Sequence, residues 1–428
     1  METVTPLSQT NSNQWLKKFL PIWSAQLFSL LGSSLVQFAL VWYLTEKTGS
    51  VEVLTTATIM SILPQVLLSP FAGALVDRWN RRIVMIVSDG ATAFFTLILV
   101  ILFALGKVQI WQIYAIMFLR AIGGIFQWPA MTSSTSLMVP EKHLSRVAGI
   151  NQAIQGGLNI VAPPLGALLM SLLAFYQVIS IDIITAIIAI TPLFFIKIPQ
   201  PVRQDNNETV TVRTVFKDVA EGFRYMKSLP GMIMLTIVAA FINFTLAPTD
   251  SLLPLLVTQH FQKGVWELSL LESVLGIGVI AGGILLGIWG GFKSKIGTSM
   301  MGVIGLGVGV GILGIAPATS FWMALVGFAL VGLMMPMANG PLQAIMQSRI
   351  APELQGRVMS FLNSFCAAMM PIGLLIVNPV VKAAGLQTWF WFSGILTICL
   401  GISALFMPKV MSLDKAQSVL ADAVVTVE

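Results

Sequence analysis

Along this chain, short polar stretches alternate with apolar runs long enough to cross a bilayer. Spanning about 30 Å of hydrocarbon takes about 20 helical residues. Twelve runs meet that length: 19–44, 51–76, 83–105, 109–133, 146–173, 176–196, 231–258, 267–289, 298–316, 320–346, 356–381 and 386–408. Their connections are short except for 197–230, which is polar and mixed in charge, with Pro199-Gln200-Pro201 and Asp205-Asn206-Asn207 marking a linker. The pattern predicts an all-α integral membrane protein of twelve transmembrane helices in two pseudo-symmetric six-helix bundles. The N-terminal tail is 1–18, the bundles are 19–196 and 231–408, the linker is 197–230, and the C-terminal tail is 409–428.

The halves also share a sequence pattern. Pro129, ten residues, then Pro140-Glu141 and Arg146-Val147 recur as Pro341, ten residues, then Pro352-Glu353 and Arg357-Val358. Each copy covers the end of the fourth helix of its half, the following loop and the start of the fifth. Six helices return the chain to its starting side, so the repeats have the same topology, as expected of a duplication.

Composition agrees. The chain is 56% hydrophobic and 10% charged, with mean hydropathy +0.87, where soluble proteins carry about 25% charged residues. The polar start followed by Lys17-Lys18 leads into a run too long for a signal peptide, so it reads as an uncleaved first helix. A net charge of +6 raises the question of nucleic acid, but the basic residues are scattered over loops rather than gathered in a patch, which speaks against it. With the N-terminus in the cytoplasm, 19 of the 24 Lys and Arg fall on that side, four fall on the other and Arg120 is left within a span. That asymmetry predicts a multi-pass cell-membrane protein with both termini cytoplasmic. Cys366 and Cys399 lie inside apolar runs, which argues against a disulfide. The two histidines, His143 and His260, sit in loops, with no nucleophile–base arrangement or metal-ligand spacing near them. We therefore expect neither an enzyme nor a metal or cofactor site.

Polar residues inside spans usually face the protein interior or a water-filled cavity. The first helix carries Gln26, Ser29, Ser33 and Gln37 on one face, and the fourth carries Arg120, Gly124 and Gln127. Asn151 and Gln155 lie on the fifth, Asn243 and Asp250 on the seventh, and Asn339, Gln343 and Gln347 on the tenth. Amides of this kind can simply join helices; their recurrence on the first, fourth, seventh and tenth argues for a shared polar cavity. A central Arg costs about 2.5–3.5 kcal/mol on insertion scales, so Arg120 requires compensation, either as a structural ion pair or as part of a site for anions or protons. Asp89, Asp182, Asp250 and Glu272 are the candidate acids. By depth along their helices, none stands clearly beside Arg120, and Asp250 followed by Glu272 is the favoured proton carrier. Pro163 and Pro164, with Gly166, mark a hinge in the fifth helix. The glycines of the eighth, Gly276 to Gly291, predict close helix packing.

The loop after the second helix holds one acid and three arginines: Gly73-Ala74-Leu75-Val76-Asp77-Arg78-Trp79-Asn80-Arg81-Arg82. Twelve helices in two parallel halves together with this loop resemble the major facilitator superfamily over nearly the whole chain, with Asn80 where the family usually has Gly. Arg120 with Gly123-Gly124 resembles the family's fourth-helix motif associated with proton coupling. Ala162-Pro163-x-x-Gly166 resembles the fifth-helix motif of drug/proton antiporters, though Ala162 and Ala167 replace two of its glycines. Ser88-Asp89-Gly90 and Gln355-Gly356-Arg357-Val358 are similar to the macrolide-efflux branch.

The resemblance implies a proton-coupled exporter of lipophilic or amphipathic small molecules, working by alternating access, driven by the proton gradient without a cofactor, and acting as a monomer in the lipid bilayer. Export of a siderophore, transport of a lysophospholipid or import would suit the same fold. A receptor would be expected to carry a soluble domain and a membrane enzyme a His or Asp cluster, and the chain offers neither. Asp77 is placed to meet the start of the eleventh helix, where a carboxylate at a helix N-terminus gains about 0.3–1 kcal/mol, and so to latch the cytoplasmic gate. Asp77→Asn should insert normally yet transport poorly; full activity in a cell-based efflux assay would reject the latch.

Overall fold

The structure is a computed structural model and describes residues 14–200, 220, 223–227, 231–350 and 352–413. The linker segment 201–219 and most of the two tails lie outside the described residues, and of Gly73, Asp77, Arg78, Gln347 and 352–357 only the backbone is described. The expected contact of Asp77 with the eleventh helix therefore lies outside them too.

The helices are α1 (Gln14–Thr48), α2 (Val51–Arg78), α3 (Arg81–Ala104), α4 (Ile110–Met138), α5 (Glu141–Leu172), α6 (Phe175–Phe195), α7 (Met232–Leu255), α8 (Val265–Trp289), α9 (Lys295–Ile315), α10 (Phe321–Arg349), α11 (Pro352–Ala384) and α12 (Leu386–Leu405). All twelve are long and apolar enough to cross a membrane, and they coincide with the twelve apolar runs. A π-helical turn, Leu256–His260, extends α7. Their ends follow local chemistry. The Ser50 and Ser294 hydroxyls accept the backbone N–H groups of Val53 and Gly297, and Gly290, at φ +77°, ends α8 in the left-handed region open to glycine. Asn80 caps α3, its side-chain oxygen accepting from the N–H groups of Arg82 (3.1 Å) and Ile83 (3.4 Å). Its own φ is −68°, so the turn does not require glycine there.

Packing repeats between the halves. α1 packs on α6 as α7 does on α12; α2 and α3 pack on α4 as α8 and α9 do on α10; α3 packs on α6 as α9 does on α12. The halves meet through α5 with α8 and through α2 with α11, pairs that the same pseudo-symmetry interchanges.

Among the described residues, the contacts between the halves gather toward one end of the bundles. At the end away from the termini, one apolar core joins Leu44, Leu54 and Ala57 to Leu252, Leu255 and Leu256 of the other half. Polar contacts reinforce it: Gln259 donates to the Gly49 carbonyl (2.6 Å), Thr58 and Ser251 share a hydrogen bond (2.9 Å), and Lys382 reaches Glu52 (3.4 Å). Toward the termini the N-terminal half keeps its own clusters, one around Val76, Met85, Met131 and Leu193 and another around Phe19, Val139 and Val147.

Pro163 and Pro164 do not interrupt α5, which runs on to Leu172. Pro164 has no N–H to offer the carbonyl four residues earlier, that of Ile160. The Ser273 hydroxyl of α8 shares its one proton between that carbonyl (3.0 Å) and the Ser269 carbonyl of its own helix (2.8 Å), so the proline's cost is offset in part by a bond between the halves. Gly276 of α8 lies directly against Ile160.

Glycines also set the contact of α8 with α10. A Cβ at Gly278 would lie 2.7 Å from the Ala329 carbonyl oxygen, whereas one at Gly283 would meet nothing within 4 Å. Overpacking of a close helix contact costs about 1–3 kcal/mol. Gly278→Leu should therefore lower the thermal midpoint in detergent by several degrees, and Gly283→Leu should leave it nearly unchanged; equal shifts would show that this contact is not limiting.

Candidate functional site

The polar stripe of α1 faces α3, α4 and α6, where two carboxylates are held. Asp89 of α3 accepts at Oδ2 from the amides of Gln26 (3.0 Å) and Gln127 (3.0 Å), and at Oδ1 from the Ser29 hydroxyl (3.1 Å). Gln127 also donates to the Gln26 side-chain oxygen. Asp182 of α6 accepts at Oδ1 from Ser33 (2.9 Å) and at Oδ2 from Thr96 (2.8 Å), and forms an ion pair with Arg120. Arg120 donates to Thr96 as well. Asp182 is 1% exposed and Arg120 10%.

Two glycines allow this convergence. Gly32 brings α1 against α6, where a Cβ would lie 3.2 Å from Asp182 Cα, and Gly123 brings α4 against α3, where one would lie 3.1 Å from the Ser88 carbonyl oxygen. Beside the two carboxylates is a cavity of about 280 Å³, whose lining includes Ser33, Gln37, Asp89, Arg120, Gly124 and Gln127. It presents hydroxyls, amides, the Arg120 guanidinium whose charge Asp182 matches from behind, and one carboxylate with no cation among its hydrogen-bond partners. Such a cavity can bind a polar or cationic group and exchange a proton at Asp89, and it holds no nucleophile–base pair. Among the described residues no group of His, Cys, Asp and Glu could hold a metal ion.

The partner of Arg120 corrects the expectation that no candidate acid stands beside it. Asp182 was placed by depth along its helix, but depth does not give azimuth. The packing of α6 on both α1 and α3 turns Asp182 inward to the guanidinium. Thr96 is the residue that sequence reasoning passed over. Its spacing from Thr92 and Asp89 on one face of α3 is the signal that could have found it.

The other candidates lie elsewhere. Asn151 accepts from the Trp23 indole N–H (2.7 Å), joining α5 to α1, and Gln155 is half-buried on the same helix. Asn243 and Asn339 donate to carbonyls of their own helices, those of Ala239 and Met335, and Gln343 is exposed. Gly166 packs against Phe38. Asp250 of α7 is exposed yet surrounded by protein, so it faces the space between the halves. It lies within electrostatic reach of half-buried Glu272 on α8. Among the described residues neither has a hydrogen-bond or ion-pair partner.

In the charged loop, Arg82 donates to the carbonyls of Leu193 and Phe194 (the latter at 2.8 Å), groups left open at the end of α6. Buried Arg81 donates to the Ser133 carbonyl of α4 at 3.2 Å. These two arginines tie the α2–α3 connection to its own half.

Removing one member of a buried ion pair costs about 3–5 kcal/mol, because the other charge is left unmatched. Arg120→Gln and Asp182→Asn should each strongly destabilise the protein in detergent. The double variant should recover most of the loss in a thermal double-mutant cycle; additive losses would mean that the two side chains act independently.

Comparison with known proteins agrees with this architecture. Residues 22–374 match the family model of the Major Facilitator Superfamily. The chain is 32% identical over 402 residues to macrolide efflux protein A of Streptococcus pyogenes, covering 94% of this chain and 98% of that one. It is 25% identical over 395 residues to the multidrug efflux pump Tap of Mycolicibacterium fortuitum, covering 90% and 94%. Crystal structures of a peptide transporter POT (TM-score 0.74, 13% identity, 93% and 95% covered) and of the nucleoside transporter NupG (TM-score 0.71, 14% identity, 93% and 99% covered) share the fold. With its twelve spans, repeated half-bundles and near-complete family match, this chain belongs to the Major Facilitator Superfamily and is a multi-pass membrane transporter rather than an enzyme.

Proposed function

We propose that the protein is a proton-coupled exporter of lipophilic or amphipathic small molecules, macrolide-type drugs among them. The observation that carries this reading is the 32% identity to a macrolide efflux protein over nearly the full length of both chains. The asymmetric closure supports alternating access. With the termini in the cytoplasm, as the 19-to-4 distribution of Lys and Arg favours, the clamped end faces outward and the polar cavity belongs to an inward-facing state.

The charges divide into two sets. Asp182 is matched by Arg120 and is the least free to cycle a proton. Among the described residues, Asp89 is held only by neutral donors, and Asp250 and Glu272 have no hydrogen-bond or ion-pair partner and face the space between the halves. Protons entering through these carboxylates would drive export, each charge moving down 100 mV supplying about 2.3 kcal/mol. Gln26, Ser33, Gln37 and Gln127 would then meet the polar part of the substrate. Nucleic acid has no place in the scheme, and the protein works without a cofactor, as a monomer.

In cells lacking their own pumps, expression should lower accumulation of a macrolide or a lipophilic cationic dye, and an uncoupler should abolish the effect. Asp250→Asn and Asp89→Asn should each remove uphill efflux while leaving substrate binding measurable. Unchanged accumulation with every compound tried would sink the export reading, and pH-driven transport unaltered in both variants would clear these two acids of coupling.

A further inference from the structure

A second cavity of about 520 Å³ lies outside the polar site, in the groove between α3 and α4. This is within the range of small-molecule pockets, about 300–1,000 Å³. Its walls are two helical stripes, Ile83, Val87 and Ala91 on α3 and Leu119, Ile122 and Phe126 on α4. Ile83 is 57% and Val87 60% exposed, and both helices cross the membrane, so the groove opens onto hydrocarbon rather than water. Trp79, with its ring 5.9 Å from that of Phe126, lies at the end near the α2–α3 connection.

The groove and the polar cavity share a wall. Ser88 and Gly123 line both. Gly123 contributes no side chain, and α3 and α4 touch almost backbone to backbone there. The residues next in sequence face the other way: Asp89 follows Ser88, and Gln127 follows Phe126, and these two are hydrogen-bonded to each other inside the polar site. An apolar body in the groove is thus one helix contact away from a carboxylate–amide cluster.

We propose that the α3–α4 groove is an entry site for amphipathic substrate, which partitions from the bilayer leaflet on the terminal side, seats its apolar body against Val87 and Ile122, and reaches the polar cavity when the α3–α4 contact at Gly123 opens. The proposal rests on the exporter reading. A phospholipid chain would suit the apolar walls equally, but its headgroup would stay at the Trp79 end and gain nothing from the polar cluster behind Ser88 and Gly123. An amphipathic solute gains both.

The test uses the full chain in proteoliposomes with a membrane-partitioning cationic dye. Val87→Trp and Ile122→Trp fill the groove from the bilayer side, and neither residue lines the polar cavity. Each should raise KM for the dye about tenfold with kcat little changed, the signature of lost uniform binding. In a chain carrying Cys366→Ser and Cys399→Ser, Ile122→Cys should react with a lipophilic maleimide, and the dye should slow that labelling; this smaller change keeps the test open if a Trp variant does not fold. Unchanged KM in the Trp variants, or labelling indifferent to dye, overturns the entry site and leaves a groove filled only by bilayer lipid. A wild-type protein that moves no dye overturns the export reading together with it, whereas wild-type transport with unaffected variants overturns the groove alone.

Discussion

A guanidinium in the middle of a membrane span sets the terms for the N-terminal half. Arg120 can stay there only with its charge matched, and α6 supplies the match through Asp182 while α3 adds the Thr96 hydroxyl and α1 the Ser33 hydroxyl. A buried pair of this kind adds little stability over well-packed apolar residues, because desolvation consumes most of the attraction. Its effect is on arrangement. Once Asp182 must reach Arg120, the inward faces of α1, α3, α4 and α6 are decided together, and Gly32 and Gly123 become the positions where the helices can come close enough. The Asp89 cluster then forms two turns away on the same faces, with Gln26 and Gln127 already in place.

The duplicated half does not repeat this chemistry. Its helix pairings are the same, but its packing relies on glycine: Gly302 and Gly309 lie against the backbone of α10, and Gly307 and Gly314 against that of α12. Its two membrane acids, Asp250 and Glu272, are unpartnered among the described residues. The two bundles thus share a scaffold while dividing the electrostatics: the first holds the matched Arg120–Asp182 pair and a carboxylate, Asp89, bound by neutral donors, and the second holds two carboxylates without a partner among the described residues. The Arg120–Asp182 pair joins α4 to α6 within the first bundle, and carboxylates near the interface between the halves are the groups whose surroundings would change if the halves rock.

Much of the fold was legible because a bilayer imposes a length rule that is independent of detail, and twelve runs of the required length became twelve helices. The α1 stripe was legible for a related reason: Gln26, Ser29 and Ser33 are spaced by the helical period, so their common face follows from spacing alone. What spacing within one helix cannot give is the neighbour it meets. Asp182 and Arg120 lie on helices separated by another in sequence, and only the packing of α6 on α1 and α3 joins them. The α3–α4 groove was hidden for a different reason, since Val87 and Ile122 read the same whether they face lipid, core or cavity. Arg82 was legible as a basic loop residue, but its capping of α6 was not, because that depends on where a distant helix ends.

The closure at the end away from the termini must be reversible if the halves are to alternate, and its chemistry suits that. Lys382 and Glu52 are each 66% exposed, and exposed pairs contribute about 0–1 kcal/mol. The hydrogen bonds from Gln259 to Gly49 and from Ser273 to Ile160 can be exchanged for bonds to water at little net change, since a typical protein hydrogen bond is worth about 0.5–1.5 kcal/mol net. The Ile160 carbonyl is the informative member. Pro164 leaves it without a partner in its own helix whichever way the transporter faces. In the clamped state Ser273 fills that need, and once the halves part on this side water can fill it instead. A hydrogen bond internal to α5 would have been indifferent to the conformational change; freed by the proline, the same carbonyl reports it, favouring contact with α8 without locking it.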